Sequence, residues 1–167
     1  MSLSMYTASA PQLAHMLKNL SNILTKAEAH ATMRKIDPAV LLAARLYPDM
    51  FALTRQVQIA CDTAKGAVAR LAGIEVPRHE DGETSFADLQ ARIAKTVAFI
   101  ESVAPERIDG SEERKIVLTL GKQEVTFTGL QYLQTFVWPN FYFHVTTAYA
   151  ILRHSGVEVG KRDYLGG

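Results

Sequence analysis

Asn140 and His144 stand one helical turn apart in PNFYFHVTTAYAILRHSG (139–156), on a stripe that is otherwise apolar. Side chains at i and i+4 share a helix face, the spacing by which helices present paired metal ligands. Imidazole is a good transition-metal ligand and a competent acid or base, whereas a neutral carboxamide is a poor ligand. The pair supports two readings. It is either a metal or substrate site with His144 as ligand or base, or a hydrogen-bonded pair that fixes the packing of a buried face. His30 ends the apolar stripe of the first helix, where the helix dipole favours its protonated form. Asp49 opens the second long helix. Tyr142 and Tyr149 supply hydroxyls for a pocket, and Gln56 and Gln58 flank the stripe of the second helix. Cys61 lies on that stripe and reads as a small core residue. No P-loop, dinucleotide fingerprint, zinc-cysteine pattern, HExxH motif or nucleophile elbow is present, which argues against the common nucleotide and hydrolase classes.

The elements that must position these groups are mostly helical. Leu13, Met16, Leu20, Ile23, Ala27 and His30 recur at spacings of three and four and define one face, with Lys18, Asn19, Asn22 and Lys26 opposite. In DPAVLLAARL, Asp37 is placed as an N-cap and Pro38 as the first helical residue. A second long helix runs from about Asp49 to Leu71 with Met50, Leu53, Val57, Cys61, Ala64, Val68 and Leu71 inward, and Gly73 stops it. GIEVPRHEDGET is loop. The third long helix opens at TSFADLQ, capped by Thr84 or Ser85, with Phe86, Leu89, Ile93, Val97, Ile100 and Ala104 inward. The period then changes to two. RKIVLTLGKQEVTFTG alternates on both sides of Gly121-Lys122, a hairpin signal. The fourth long helix begins near Gly129 with Leu130, Leu133, Val137, Asn140, His144, Ala148 and Ile151 on its stripe. Trp138-Pro139 predicts a kink or restart, with carbonyls near 135 and 136 short of partners. Gly156 ends the helix, and VEVGKRDYLGG reads as an extended tail.

Four amphipathic helices with one hairpin inserted between the third and fourth predict an all-α four-helix bundle, one domain over residues 1–167. The second helix, about 23 residues, is roughly 35 Å long at 1.5 Å per residue. The loop after it, about 12 residues, can run that length at about 3.3 Å per residue. The third helix can then lie parallel to the second, an up-down-down-up order. That order puts His30, Asp49 and His144 toward one end of the bundle, a cluster with acid/base or metal capability.

Composition narrows the partners. Lys and Arg total 18 against 17 Asp and Glu, a formal net charge of +1, which argues against nucleic acid or an anionic membrane as the main partner. The single cysteine excludes an internal disulfide and fits a reducing compartment. The first fifteen residues lack a basic segment followed by an apolar run, and no apolar run approaches the roughly 20 residues that span a bilayer. The expectation is a soluble, cytoplasmic protein.

Several of these stretches also carry a resemblance. KAEAHATMRKIDPAVLLAARLYPDMFALTRQVQIACDTAKGAVARLAG, FADLQARIAKTVAFI, VTFTG and PNFYFHVTTAYAILRHSGVEVGKRDYLG resemble the bacterial family known as domain of unknown function 1993, itself similar to the DinB/YfiT-like superfamily. The resemblance implies a four-helix bundle and, frequently, a homodimer. Many members bind a divalent metal through three histidines, one on the second helix and an HxxxH pair on the fourth, and some act on small thiols or small polar substrates. Here NFYFH occupies the place of that pair, so His144 matches its second histidine and Asn140 its first. The histidine of the second helix has no counterpart; Gln56 or Gln58 stands nearby. A weakly bound zinc, nickel or manganese ion is the most cofactor chemistry such a degenerate motif allows. The implied function is either an enzyme with a modified metal site or a non-catalytic module that binds a small ligand or dimerises.

Overall fold

The computed structural model of the protein describes residues 3–167. α1 (Ala10–Arg34) buries the expected stripe, His30 included, and α3 (Leu53–Ala72) buries Leu53, Val57, Cys61, Ala64, Val68 and Leu71 completely. Between them α2 (Pro38–Leu42) starts as its sequence dictates, with the Asp37 carboxylate accepting from the Ala39 amide at 2.9 Å. α4 (Phe86–Ser102) is opened by a capping box in which Ser85 and Asp88 satisfy each other's backbone amides. A short α5 (Pro105–Ile108) follows, then the hairpin of β1 (Ile116–Leu120) and β2 (Gln123–Phe127), paired from Ile116↔Phe127 to Leu120↔Gln123 around Gly121-Lys122. Each fully buried Leu, Ile or Phe in the shared core is worth about 1.5–3 kcal/mol, so these stripes fix which faces meet.

Inter-helix hydrogen bonds give the order. Ser21 bonds Gln90 and Lys18 bonds Glu101, so α1 and α4 run antiparallel. Gln58 meets Glu83, just ahead of α4, and Asp62 meets Arg92, so α3 and α4 run parallel. The last long helix, α7 (Trp138–His154), is antiparallel to α3, because Gln56 meets His144 and Thr63 meets Asn140. The order is up-down-down-up.

Pro139 does interrupt the fourth long helix, in a particular form. After a single turn, α6 (Gly129–Gln131), the backbone becomes π-helical over Tyr132–Val137 before α7 begins with Pro139 in its first turn. A π turn holds one residue more than an α turn, so it absorbs the amide that proline lacks and rotates everything before it. That rotation turns Leu130, expected on the inward stripe, out to solvent and brings Tyr132 inside. The start of α6 also explains Gly129: a Cβ there would collide with the Ser111 carbonyl oxygen.

Four boundary expectations are corrected. α3 begins at Leu53, and Asp49 sits exposed in the preceding turn, where Arg45 bonds the Pro48 and Met50 carbonyls and so holds that backbone out of the helix. α4 ends at Ser102, so Ala104 is exposed, and Pro105 starts the next helix. The tail contains α8 (Lys161–Leu165), whose Asp163 caps the Gly160 amide and pairs with Lys26 of α1. Asn19, assigned to the solvent face, is buried beneath it and donates to the Tyr164 carbonyl at 3.1 Å. No helix among the described residues is long and apolar enough to cross a membrane.

Candidate functional site

The seam between α3 and α7 holds the residues singled out above. Gln56 is 1% exposed and donates its amide N–H to the Phe51 carbonyl at 3.0 Å. That bond fixes which end of the carboxamide faces where. Its oxygen therefore points to His144 Nδ1, 2.7 Å away, and Nδ1 must carry the proton. The Nε2 lone pair of His144 is left without a hydrogen-bond partner among the described residues. Burial, then the charge of Arg55, holds the His144 pKa below the ordinary histidine value, so the ring is neutral near pH 7.

Asn140 does not join this pair. Its Nδ2 donates to Thr63 Oγ1 at 2.8 Å, two turns along α3 from Gln56. Asn140 and Thr63 line a cleft of about 490 Å³ between α3, the π segment and β1, together with Asp62, Arg70, Tyr132, Phe136 and residues 117–120. Within it Arg70 Nη1 donates to the Tyr132 hydroxyl at 3.1 Å. Burial pushes the Tyr132 phenol up, and the neighbouring Arg70 only partly offsets it, so it stays protonated.

The other candidates are dispersed. His30 packs against the Gly156 turn at the far end of α7, and Asp49 is on the surface. Neither makes a hydrogen bond to His144, so the expected His30, Asp49, His144 constellation is not assembled. Tyr142 stacks on Trp138 at 5.1 Å and lines a shallow apolar groove with Leu46, Phe143 and Ala150. Tyr149 packs edge-on against Tyr164, where it serves the docking of α8. Arg70, Thr63 and Tyr132 went unnoticed in the sequence. Their one local signal is the spacing Thr63, Gly66, Arg70 at i, i+3 and i+7, which puts them on a single face of α3.

The other side of α3 is ionic. Arg92, 4% exposed, pairs with Asp62 (2.9 Å), Asp81 (3.0 Å) and Glu83 (2.8 Å) and donates to the Glu80 carbonyl, clamping the 74–85 loop onto α3 and α4. Burial pushes Asp81 and Glu83 up, but Arg55 and Arg92 on the first and Arg92 and Gln58 on the second outweigh it and hold both low. Cys61, beneath this clamp, has its thiol pushed up to about 12 by burial, only partly offset by Thr96 and Arg92.

The fold as a whole has a counterpart among known proteins. The sequence matches the family "Domain of unknown function (DUF1993)" over residues 5–165. The chain belongs to this family. Its fold is similar to the crystal structure of a DinB family member protein from Shewanella denitrificans, 47% identical, with a TM-score of 0.89 over 97% of this chain and 92% of that one. Among curated proteins nothing matches significantly.

The residues that the resemblance sets against a three-histidine motif are His144 and Asn140, with Gln56 or Gln58 standing near the place of the third. One imidazole is thus left among carboxamides, and the Gln56 oxygen is already taken by His144 Nδ1–H. Such a donor set does not suit a transition-metal ion. Among the described residues no group of three or more His, Cys, Asp or Glu side chains is placed to hold a metal.

Proposed function

We propose that this DUF1993 protein is a non-catalytic, small-ligand-binding bundle that works without a metal, its ligand entering the cleft between the hairpin and the α3–α7 seam. The observation behind this reading is the pairing of the motif positions. His144 Nδ1 is bonded to Gln56 and Asn140 Nδ2 to Thr63, so these side chains tie two helices together, and an open space lies beside Asn140 and Thr63. The test is metal content by plasma mass spectrometry on untagged protein, with zinc, nickel and manganese thermal-shift titrations of wild type and His144→Ala. The expected result is no stoichiometric metal and no metal-induced stabilisation. Near-stoichiometric metal that disappears in His144→Ala would overturn the reading.

One observation favours a second reading, catalysis on a small polar or thiol substrate with His144 as base: the neutral ring keeps a lone pair at Nε2 that no protein group uses. Diethyl pyrocarbonate, which acylates neutral imidazole, should then modify His144 in the native protein; complete resistance would remove this reading. The protein is also proposed to form a homodimer. Tyr47, Phe51, Phe143 and Leu46 are exposed to 66, 56, 56 and 40%, and Leu46 and Phe143 flank one groove. Sedimentation across micromolar concentrations should show a dimer that Phe143→Glu dissociates; a monomer throughout would exclude it.

A further inference from the structure

The cleft beneath the hairpin is rich in hydrogen-bond donors that have nothing to donate to. Arg70 is half-buried and forms no ion pair among the described residues, and the one hydrogen bond its guanidinium makes among them is to Tyr132. That bond uses the phenol oxygen as acceptor, so the Tyr132 O–H keeps its own proton to give. Opposite, Thr63 Oγ1 accepts from Asn140, and the Thr63 hydroxyl proton has no acceptor among the described residues either. The one carboxylate lining the cleft, Asp62, pairs through a single oxygen, Oδ1, with Lys65 at 2.8 Å and Arg92 at 2.9 Å, so two cations offset its charge. A cation and two hydroxyl donors thus face a space whose one anion is already neutralised.

Gly66 of α3 leaves room for this guanidinium. Gly66 lies in the middle of the helix, where glycine is less favourable than alanine. A Cβ at Gly66 would fall on Arg70 Nη1, so the missing side chain makes a groove along the helix in which the guanidinium rests under Tyr132. Facing it, Val117, Leu118, Leu120 and Phe136 supply an apolar wall. The volume, about 490 Å³, is that of an ordinary small-molecule pocket.

We infer that the cleft binds a small organic carboxylate, its oxygens on Arg70, Tyr132 and Thr63 and its hydrocarbon part against Phe136 and the hairpin. This rests on the reading that the cleft is the ligand site and adds the chemical class. A monoanion with an apolar body fits better than phosphate, because one guanidinium faces the cleft while the other cations nearby, Lys65 and Arg92, are committed to Asp62.

The experiment is titration calorimetry on the full chain with benzoate, hexanoate, inorganic phosphate and hexylamine, using wild type, Arg70→Gln, Gly66→Ala and the cleft-filling Thr119→Trp. Benzoate or hexanoate should bind saturably and phosphate should not. Arg70→Gln should weaken carboxylate binding at least tenfold. Gly66→Ala should weaken it too while leaving the melting temperature equal or higher, a split that a purely structural glycine would not produce. Unchanged carboxylate binding in Arg70→Gln, phosphate binding as tight as benzoate, or no carboxylate binding at all would overturn the inference. Hexylamine binding abolished by Thr119→Trp, with no carboxylate binding, would sink the carboxylate class and leave the cleft as the site. Carboxylate binding untouched by Thr119→Trp would sink both.

Discussion

Along its two sides α3 is joined to its neighbours by opposite chemistry. Toward α7 it offers Gln56, Thr63 and Arg70, and the partners His144, Asn140 and Tyr132 are all uncharged. Toward α4 it offers Gln58, Asp62 and Lys65, and they meet a buried arginine and a loop rich in carboxylates. The charged side is mostly closed, its clamp ions paired and the 74–85 loop lying across it, with Arg92 Nε and His79 Nδ1 left without partners among the described residues. The α7 side keeps an imidazole lone pair unspent and, lining an open cleft, two hydroxyl protons and the Arg70 guanidinium. The larger open cleft, lined by donors that no protein group uses, lies toward α7, so we propose binding there and a structural role for the α4 side.

The sharpest way to break this contrast is to remove the centre of the charged side. Arg92→Met leaves Glu83, Asp62 and Asp81 without their shared cation. Removing one partner of a buried ion pair is expected to lower stability by about 3–5 kcal/mol, with most of the loss from the well-buried Glu83 and the least from Asp62 and Asp81, which water can still reach. Urea unfolding followed by circular dichroism measures it. A loss below about 1 kcal/mol would mean the clamp is not structural.

The matching change on the other side is smaller. His144→Ala takes the proton donor away from Gln56, leaving a nearly closed carboxamide oxygen unsatisfied, at a cost of about 1–3 kcal/mol. His144→Leu combined with Gln56→Leu should recover much of that, since removing both partners strands neither. If the double variant is no better than His144→Ala, the pair is not acting as a hydrogen bond across the seam.

Much of the scaffold on which this contrast sits was legible before the structure, because it is written locally. Asp37-Pro38, Ser85 with Asp88, Gly73 and Gly121-Lys122 each mark an end or a turn through their own backbone chemistry. The reach of the 74–85 loop permitted the up-down-down-up order and favoured it over up-down-up-down without fixing it. The polar partners were not legible in this way. Arg92 looks like a solvent-facing residue beside a hydrophobic stripe, and nothing in PRHEDGET says that its carboxylates fold back onto it. Asn140 and His144 share a face, yet on α3 Gln56 and Thr63 stand two turns apart, so neighbours in one helix take separate partners in the next. The π turn was hidden because Pro139 announces a missing hydrogen bond but not how the backbone absorbs it. Five residues are too few to show a period, and α8 was missed for that reason.

Acid should separate the two sides by pH. His144 has its folded pKa below the ordinary 6.5, so the folded state takes up the proton less readily than the unfolded chain. Its contribution is therefore complete above about pH 6.5 and is lost as pH falls below it. Asp81 and Glu83 lie below 3.8 and 4.5, so their contribution is complete above those values and is lost only in stronger acid. Urea midpoints from about pH 8 to pH 3 should decline in two stages. His144→Gln should erase the first and keep the second, whereas Glu83→Gln should shrink the second and leave the first, with Asp81 still titrating. A single decline unaffected by His144→Gln would show that the imidazole titrates as freely when folded as when unfolded.

The smallest expected effect is no effect. Cys61 is the one residue in the chain that by type is a strong nucleophile, and it lies on the closed side. Its thiol is fully buried, pushed up to about 12, and roofed by Arg92 and the loop that Arg92 holds. A disulfide reagent such as dithionitrobenzoate needs both access and thiolate, and the folded protein supplies neither. Labelling near pH 8 should thus proceed only through unfolding, at a rate that rises in Arg92→Met about tenfold for each 1.4 kcal/mol of stability lost. His144 provides the control, because acylation of its unused Nε2 should not wait for unfolding. Rapid labelling of native Cys61 together with a protected His144 would exchange the two sides of α3 and place the reactive surface under the clamp.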